Sequence, residues 1–260
     1  MRRHWASVDT HLMPAISWLG TVGSTNEEAF LRAGAGDRGP LWIAASQQTG
    51  GRGRSGRHWV SPPGNLYASL LLTYPRPLPT VAQLSLVAGL AAHQTLASLA
   101  PAVRFELKWP NDVLCAGAKL CGILIEGRTA PDNAGHNVVV GIGINLAHHP
   151  ELPGRQTTSL SALGTIAEPT AALDHLVAAF ESWRDVWGEG AGMAQIRRAF
   201  MARSLPEGTV VSVNAGPEMI NGRFAGLDTD GALLVGLPGG GQRRITFGDV
   251  HIGTPAGVTS

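Results

Sequence analysis

Charge is scarce in this 260-residue chain. Only 15% of its residues are Asp, Glu, Lys or Arg, and the formal net charge is +1. Bulk attraction to nucleic acid or to an anionic membrane is excluded, so any basic character must be local. Cysteine is scarcer still: Cys115 and Cys121 are the only two. They read as reduced, buried small hydrophobes of a cytosolic protein rather than a disulfide framework, with a cross-strand bridge as the lesser alternative. No stretch approaches the ~18 uninterrupted apolar residues of a membrane-spanning helix. The arginines of Met1-Arg2-Arg3-His4-Trp5 are not followed by the apolar run of a secretory signal. The nine histidines show no metal-ligand spacing, and His148-His149 reads as a surface loop. Trp5 and Trp18 carry no functional signal.

What is present is apolar and rich in turns. Apolar residues make up 44% of the chain, enough for a sizeable core, and there are 34 glycines and 17 prolines. That content falls short of the level at which composition alone implies disorder. The length suits one large domain, or one domain with a small appendage. Short strands are predicted at 16–21, 41–46, 65–74, 103–107 and 137–146, with a hairpin of 113–115 and 120–126 around Ala116-Gly117-Ala118. Ser24 with Glu27 three residues on predicts a capping box opening a helix to about Ala33. Further helices are predicted at 80–99, after a proline-rich turn, and at 158–163, 170–187 and 193–203. Trp183 and Trp187, four apart, read as a helix packing face. After Pro206 the texture turns to short alternating strands, at 209–213, 219–227, 232–236 and 243–247, the pattern of a small barrel. The predicted organisation is therefore two domains, 1–205 and 206–260.

Three segments are unusual. Gly51-Arg52-Gly53-Arg54-Ser55-Gly56-Arg57 matches G-x-G-x-x-G, the dinucleotide fingerprint, but Pro62-Pro63 bars the helix that reading needs. Tyr67 to Arg76 also holds no carboxylate for a ribose. Arginines alternating with glycines instead supply forked donors on a backbone able to wrap a phosphate or carboxylate. Such a loop, at 48–63, is expected to lack fixed structure until an anion orders it, with Trp59 as an apolar cover. A solvated basic loop is the plain alternative. Lys108-Trp109-Pro110-Asn111-Asp112 places a cation, an aromatic and two polar side chains at a strand end, where ligand sites form. Lys119 then heads an apolar strand, either as an ordinary edge residue or as a cation facing a reacting anion. Gly141 and Gly143 clear one face of a strand, which predicts close approach of a ligand or of another backbone, with Asn145 on the same face.

Taken in order, these pieces resemble the biotin–protein ligases, also called holocarboxylase synthetases. The matching residues are Ser24-Thr25-Asn26, Gln48-Thr49, Gly51-Arg52-Gly53-Arg54 with Gly56-Arg57 and Trp59, Asn65-Leu66-Tyr67, Lys108 to Asp112, Lys119-Leu120 with Gly122-Ile123-Leu124, and Gly141 to Asn145. Gly222 to Asp228 and Gly231-Ala232-Leu233 resemble the family's small terminal barrel. Each piece alone is weak; the ordered set is specific. The resemblance implies an α+β fold: a mixed β-sheet flanked by helices, like a class II synthetase catalytic domain, with a C-terminal SH3-like barrel. It implies an enzyme using ATP, magnesium and biotin, which forms biotinyl-5'-AMP and transfers biotin to a lysine of a biotin carboxyl carrier domain. The implied biotin-binding residues are Ser24, Thr25, Asn26, Gln48, Gly51, Arg52, Gly53, Arg54, Lys119 and Gly122. The implied ATP-binding residues are Arg54, Arg57, Trp59, Asn111, Asp112, Lys119 and Asn145, with Asn111 and Asp112 on the magnesium side. Lys119, Arg52 and Arg54 are the implied catalytic residues. No protein-held metal and no membrane partner is expected, and no specific nucleic-acid partner either, the last because the 23 residues before Ser24 are too few for the winged helix some family members carry. Gly50 is a departure expected to loosen the loop. A lipoate- or octanoate-transferring relative of the same fold is the alternative, disfavoured by the arginine–glycine loop together with Lys108 to Asp112.

Overall fold

The structure is a computed structural model and describes residues 14–74, 80–130 and 135–253. The readings of Met1 to Trp5 and of the proline-rich turn before Thr80 lie outside these residues. The chain runs β1 (Ala15–Val22), α1 (Thr25–Gly34), β2 (Leu41–Gln48), β3 (Leu66–Tyr74), α2 (Leu84–Leu99), β4 (Glu106–Lys108), β5 (Asp112–Cys115), β6 (Ala118–Thr129) and β7 (His136–Ile144). It continues through α3 (Pro169–Trp187), α4 (Met193–Met201), β8 (Val210–Ala215), β9 (Glu218–Leu227), β10 (Leu233–Gly236), β11 (Gln242–Ile245) and β12 (Asp249–Ile252).

The first seven strands form one mixed sheet in the order β1-β2-β3-β7-β6-β5-β4. The β1–β2 pair is parallel and the other pairs are antiparallel. Alternation along β2 decides which helix covers which face. Leu41 and Ile43 pack with Ala29, Phe30 and Ala33 of α1. Trp42 and Ala44 point the other way, into the large core built by α2, α3 and α4, where Trp42 meets Phe180 edge-on at 5.6 Å. The last five strands form an antiparallel sheet, β11-β10-β9-β8-β12. Its Val211, Val213, Phe224, Leu233 and Val235 join that same large core. Trp109 Nε1 donates to the Gly231 carbonyl at 3.0 Å and Arg197 Nε to Leu227 O at 2.7 Å, which fixes the small sheet against the large one. Cys115 and Cys121 are buried and unpaired. Among the described residues no helix is long and apolar enough to cross a membrane.

Several local expectations are corrected. Ser24 has the extended backbone of an N-cap but makes no side-chain capping bond. Glu27 turns instead to Arg52 at 2.5 Å and Arg128 at 3.1 Å, because a guanidinium offers a charge-assisted bond where the cap N–H offers a neutral one. The predicted helix at 158–163 is only a single 3-10 turn, Ser161–Leu163, ended by Gly164 at φ 83°. Thr158 is taken by backbone pairing to Lys119 O, so its stretch cannot coil. The helix expected from Thr80 starts as a 3-10 turn and becomes α-helical at Leu84. The strand expected at 103–107 is Glu106–Lys108.

Candidate active site

A cleft of about 490 Å³ lies among the start of α1, the ends of β2, β6 and β7, the arginine–glycine loop, the turn after β4, and β12. One end is neutral and polar. Thr25 N–H donates to Gln48 Oε1 at 2.8 Å, with Thr25 Oγ1 3.1 Å from the same oxygen, and Gln48 Nε2 donates to Ser61 Oγ at 3.0 Å. Ser69 Oγ donates to Asn26 Oδ1 at 2.6 Å and lies 2.7 Å from Thr25 Oγ1. Asn26 Nδ2 donates to Glu126 at 2.7 Å. The absent capping bond leaves the Ser24 hydroxyl in this wall.

The glycines of the floor make room for the protein's own side chains and also line the cleft. A Cβ at Gly141 would lie 2.3 Å from Asn26 Oδ1, and one at Gly143 would lie 2.6 Å from Trp59 Nε1. At Gly122 it would meet Trp59 at 3.0 Å and Lys119 Nζ at 3.1 Å. The alternating glycines thus seat Asn26 and Trp59 against the sheet.

The other end is cationic. Antiparallel pairing of β4, β5 and β6 brings Lys108, Asp112 and Lys119 together. Lys108 Nζ is 2.8 Å from Asp112 Oδ2 and Lys119 Nζ is 2.5 Å from Asp112 Oδ1. Burial alone would raise the Asp112 pKa, but the Lys119 and Lys108 charges outweigh it and hold the carboxyl below the usual carboxylate range. Lys119 Nζ also sits 5.3 Å from the centre of the Trp59 ring. Asn111 Nδ2 is fixed to Ile123 O at 2.7 Å. Asn145 is buried, with Nδ2 donating to Thr158 O at 3.0 Å and Oδ1 without a hydrogen-bond partner among the described residues. A buried acceptor left open in a cleft wall suits a ligand's donor.

The arginines of the arginine–glycine loop are paired with carboxylates from outside it. Arg52 pairs with Glu27 at 2.5 Å and Arg57 with Asp249 at 2.5 Å. Arg54 Nη1 donates to Gly248 O at 3.0 Å. The cleft wall includes Ser24, Thr25, Asn26, Gln48, Arg52, Gly53, Arg54, Arg57, Trp59, Asn111, Asp112, Lys119, Gly122 and Asn145. Gly51 is different. It lies behind the wall, where a Cβ would be 2.5 Å from Trp59 O. Lys108, singled out in sequence as the cation of its cluster, lines the cleft, as do Arg155, Asp249 and His251, to which sequence reasoning assigned no role. Burial, then the charges of Lys108 and Arg155, lower the His251 pKa. No sequence pattern marks Asp249 or His251, since the small sheet reaches the cleft only through tertiary packing.

The magnesium implied by the resemblance was assigned to the Asn111–Asp112 side. Both Asp112 oxygens face ammonium groups and Asn111 Oδ1 lies 3.4 Å from Arg54 Nη1. Among the described residues no three His, Cys, Asp or Glu side chains converge on a metal site. These donors do not form a dication site of their own.

The fold that carries this cleft, a mixed sheet with a small antiparallel sheet beside it, is that of a class of protein ligases. Residues 26–145 match the Biotin/lipoate A/B protein ligase family and residues 207–253 match the biotin protein ligase C-terminal domain. A biotin–[acetyl-CoA-carboxylase] ligase of Paracoccus denitrificans is 39% identical over 232 residues, covering 86% of this chain and 95% of that protein. The Mycobacterium tuberculosis enzyme of the same name is 34% identical over 243 residues, covering 88% and 85%. The structure of the Aquifex aeolicus biotin protein ligase in complex with biotin and ATP superposes with a TM-score of 0.76 at 28% identity, covering 92% of this chain and 98% of that one. The chain belongs to the biotin–protein ligase family and is a ligase.

Proposed function

We propose that the cleft joins biotin to ATP and then passes biotin to a lysine of a biotin carboxyl carrier domain in the cytoplasm. A biotin carboxylate oxygen attacks the α-phosphorus, the bond to pyrophosphate breaks, and biotinyl-5'-AMP forms. The carrier's neutral lysine amine then attacks the carbonyl carbon; AMP leaves, and the amine gives up a proton. The observation that carries this reading is the position of Lys119. Its ammonium, fixed on Asp112, stands where the neutral polar end of the cleft meets the cationic end.

In this reading Ser24, Thr25, Asn26 and Gln48 receive the ureido ring, a group needing several short polar partners. Gly51, Gly53 and Gly122 let backbone and Trp59 pack closely around it. Lys119 faces the carboxylate and phosphate oxygens, where negative charge grows in the transition state. Arg52 and Arg54 close over the mixed anhydride and keep out the water that would hydrolyse it. Arg57, Asn111, Asp112 and Asn145 face the nucleotide, and Trp59 covers it. Magnesium enters with the phosphates of ATP, and no step rests on it.

Biotin-dependent ATP–pyrophosphate exchange tests the reading. Exchange requiring biotin is expected. Exchange with lipoate or octanoate but not biotin would move the activity to the sister chemistry, and exchange with no acid would remove it.

A further inference from the structure

We propose that Asp249, at the start of β12, is a positioning residue that aims Arg54 and Arg57 into the cleft, so that the five-stranded sheet takes part in holding the nucleotide. The proposal rests on the reading above for the identity of that ligand. Asp249 itself rests on geometry alone.

Arg57 Nη2 meets Asp249 Oδ2 at 2.5 Å, and Arg54 Nη1 lies 3.6 Å from Oδ1. The contact is reinforced by backbone. Arg54 Nη1 donates to the carbonyl of Gly248, the residue before Asp249, at 3.0 Å, and lies 3.4 Å from Asn111 Oδ1. Gly248 has φ 148°, and a Cβ there would lie 2.8 Å from Asn214 O. Only glycine fits that turn, and the turn delivers both acceptors to the arginines. Pairing of Asp249 with Asn214 of β8 then anchors them to the small sheet.

The loop needs such an anchor. Ser55 and Gly56 have φ 56° and 71°, a tight left-handed turn that puts Arg54 and Arg57 close together. Arg57 Nε donates to Arg54 O at 3.1 Å, which draws the two guanidiniums nearer still. Glu27 and Glu126, the carboxylates that answer Arg52, lie at the opposite end of the loop. Asp249 is the carboxylate that answers Arg54 and Arg57. A guanidinium has five N–H donors, so one carboxylate orients each arginine without exhausting it, and the remaining donors stay open to phosphate oxygens. Around this end of the cleft stand five cations, Arg54, Arg57, Lys108, Lys119 and Arg155, and two carboxylates, Asp112 and Asp249. The excess positive charge suits a polyanion, while the carboxylates fix where it is presented.

The test is Asp249→Asn beside Asp249→Glu in the full chain, with thermal melting to show that both fold. In pyrophosphate exchange, Asp249→Asn is expected to raise KM for ATP roughly tenfold, the scale of one charge-assisted contact. KM for biotin is expected to stay within about twofold, and Asp249→Glu to recover most of the loss. A merely structural role would move both constants together, and that result would overturn the proposal. The second measurement needs neither substrate nor turnover: trypsin cleavage after Arg54 and Arg57 should be several-fold faster in Asp249→Asn than in the parent protein. Unchanged cleavage would also overturn it. Absence of any biotin-dependent exchange in the parent protein would instead remove the proposed function and leave the cleavage result to decide the anchor.

Discussion

Asp112 on the floor of the cleft and Glu27 at its rim each face two cations, yet in opposite surroundings. Asp112 stands between Lys108 and Lys119 with its side chain only 9% exposed, whereas Glu27 stands between Arg52 and Arg128 at 37% exposed. At the floor, three strands set the partners, and little water competes with them. At the rim, side chains from α1, the loop and β6 meet in solvent, where such pairs contribute ~0–1 kcal/mol and are screened by salt. The difference teaches what each cluster can do. Charges at the floor are preorganised, as a site that stabilises growing negative charge requires. The rim pairs, held by exposed side chains, can exchange partners in solvent.

The largest test of this contrast is Lys119→Ala. Its side chain is 27% exposed, so the fold should survive. The rate of biotin-dependent exchange should fall on the order of 10²–10³-fold, the scale of losing one preorganised charge donor. An unchanged rate would return Lys119 to an ordinary strand-edge residue. Asp112→Asn comes next. It leaves two ammoniums sharing a buried neutral amide, and unfolding by urea should show a loss of roughly 2–4 kcal/mol, moderated because both lysine heads can reach water. The pH dependence carries a sign. The folded Asp112 pKa is depressed. Its stabilisation is therefore complete above the unfolded value of about 3.9 and is lost as pH falls through the lower folded value. The Asn variant should lack that part of the acid-side fall.

Gly141→Ala asks whether the floor is as tightly set as its charges. The added methyl collides with Asn26 Oδ1, and a destabilisation of about 1–3 kcal/mol is expected by thermal melting, together with a raised KM for biotin. A neutral result would mean that Asn26 moves freely and that the polar end is soft. The smallest effect belongs to Glu27→Gln at the rim. Stability should change by no more than ~0.5 kcal/mol, and the difference should vanish at high salt. A larger loss, insensitive to salt, would erase the distinction between rim and floor.

Much of this was legible in the chain. The strands at 41–46 and 65–74 were readable because apolar runs bounded by turn residues have few other solutions. The hairpin joining β5 to β6 was marked by Ala116-Gly117, which takes the two positive φ values of its turn. Side chains that act next to one another in sequence, such as Arg52 with Arg54 and Asn111 with Asp112, announced themselves as clusters. The reading failed where a long-range partner outbid a local one. Ser24 and Glu27 spell a capping box, yet Arg52 and Arg128 take Glu27 away. Gly141 and Gly143 signalled close approach, but only the packing of α1 and the loop showed that Asn26 and Trp59 are what approaches.

The sequence by itself determined most strands of the large sheet and the polar and cationic motifs of the cleft, and the resemblance those motifs carry implied the kind of chemistry they serve. Those features are written in local spacing and in residue type, and both survive in a linear text. Only the tertiary structure decided that Asp112 lies between two lysines, and that β12 of the small sheet delivers Asp249 to arginines almost two hundred residues earlier in the chain. Partners so far apart in sequence leave no periodic trace, because what joins them is the burial of one shared core and not any local rule of the backbone.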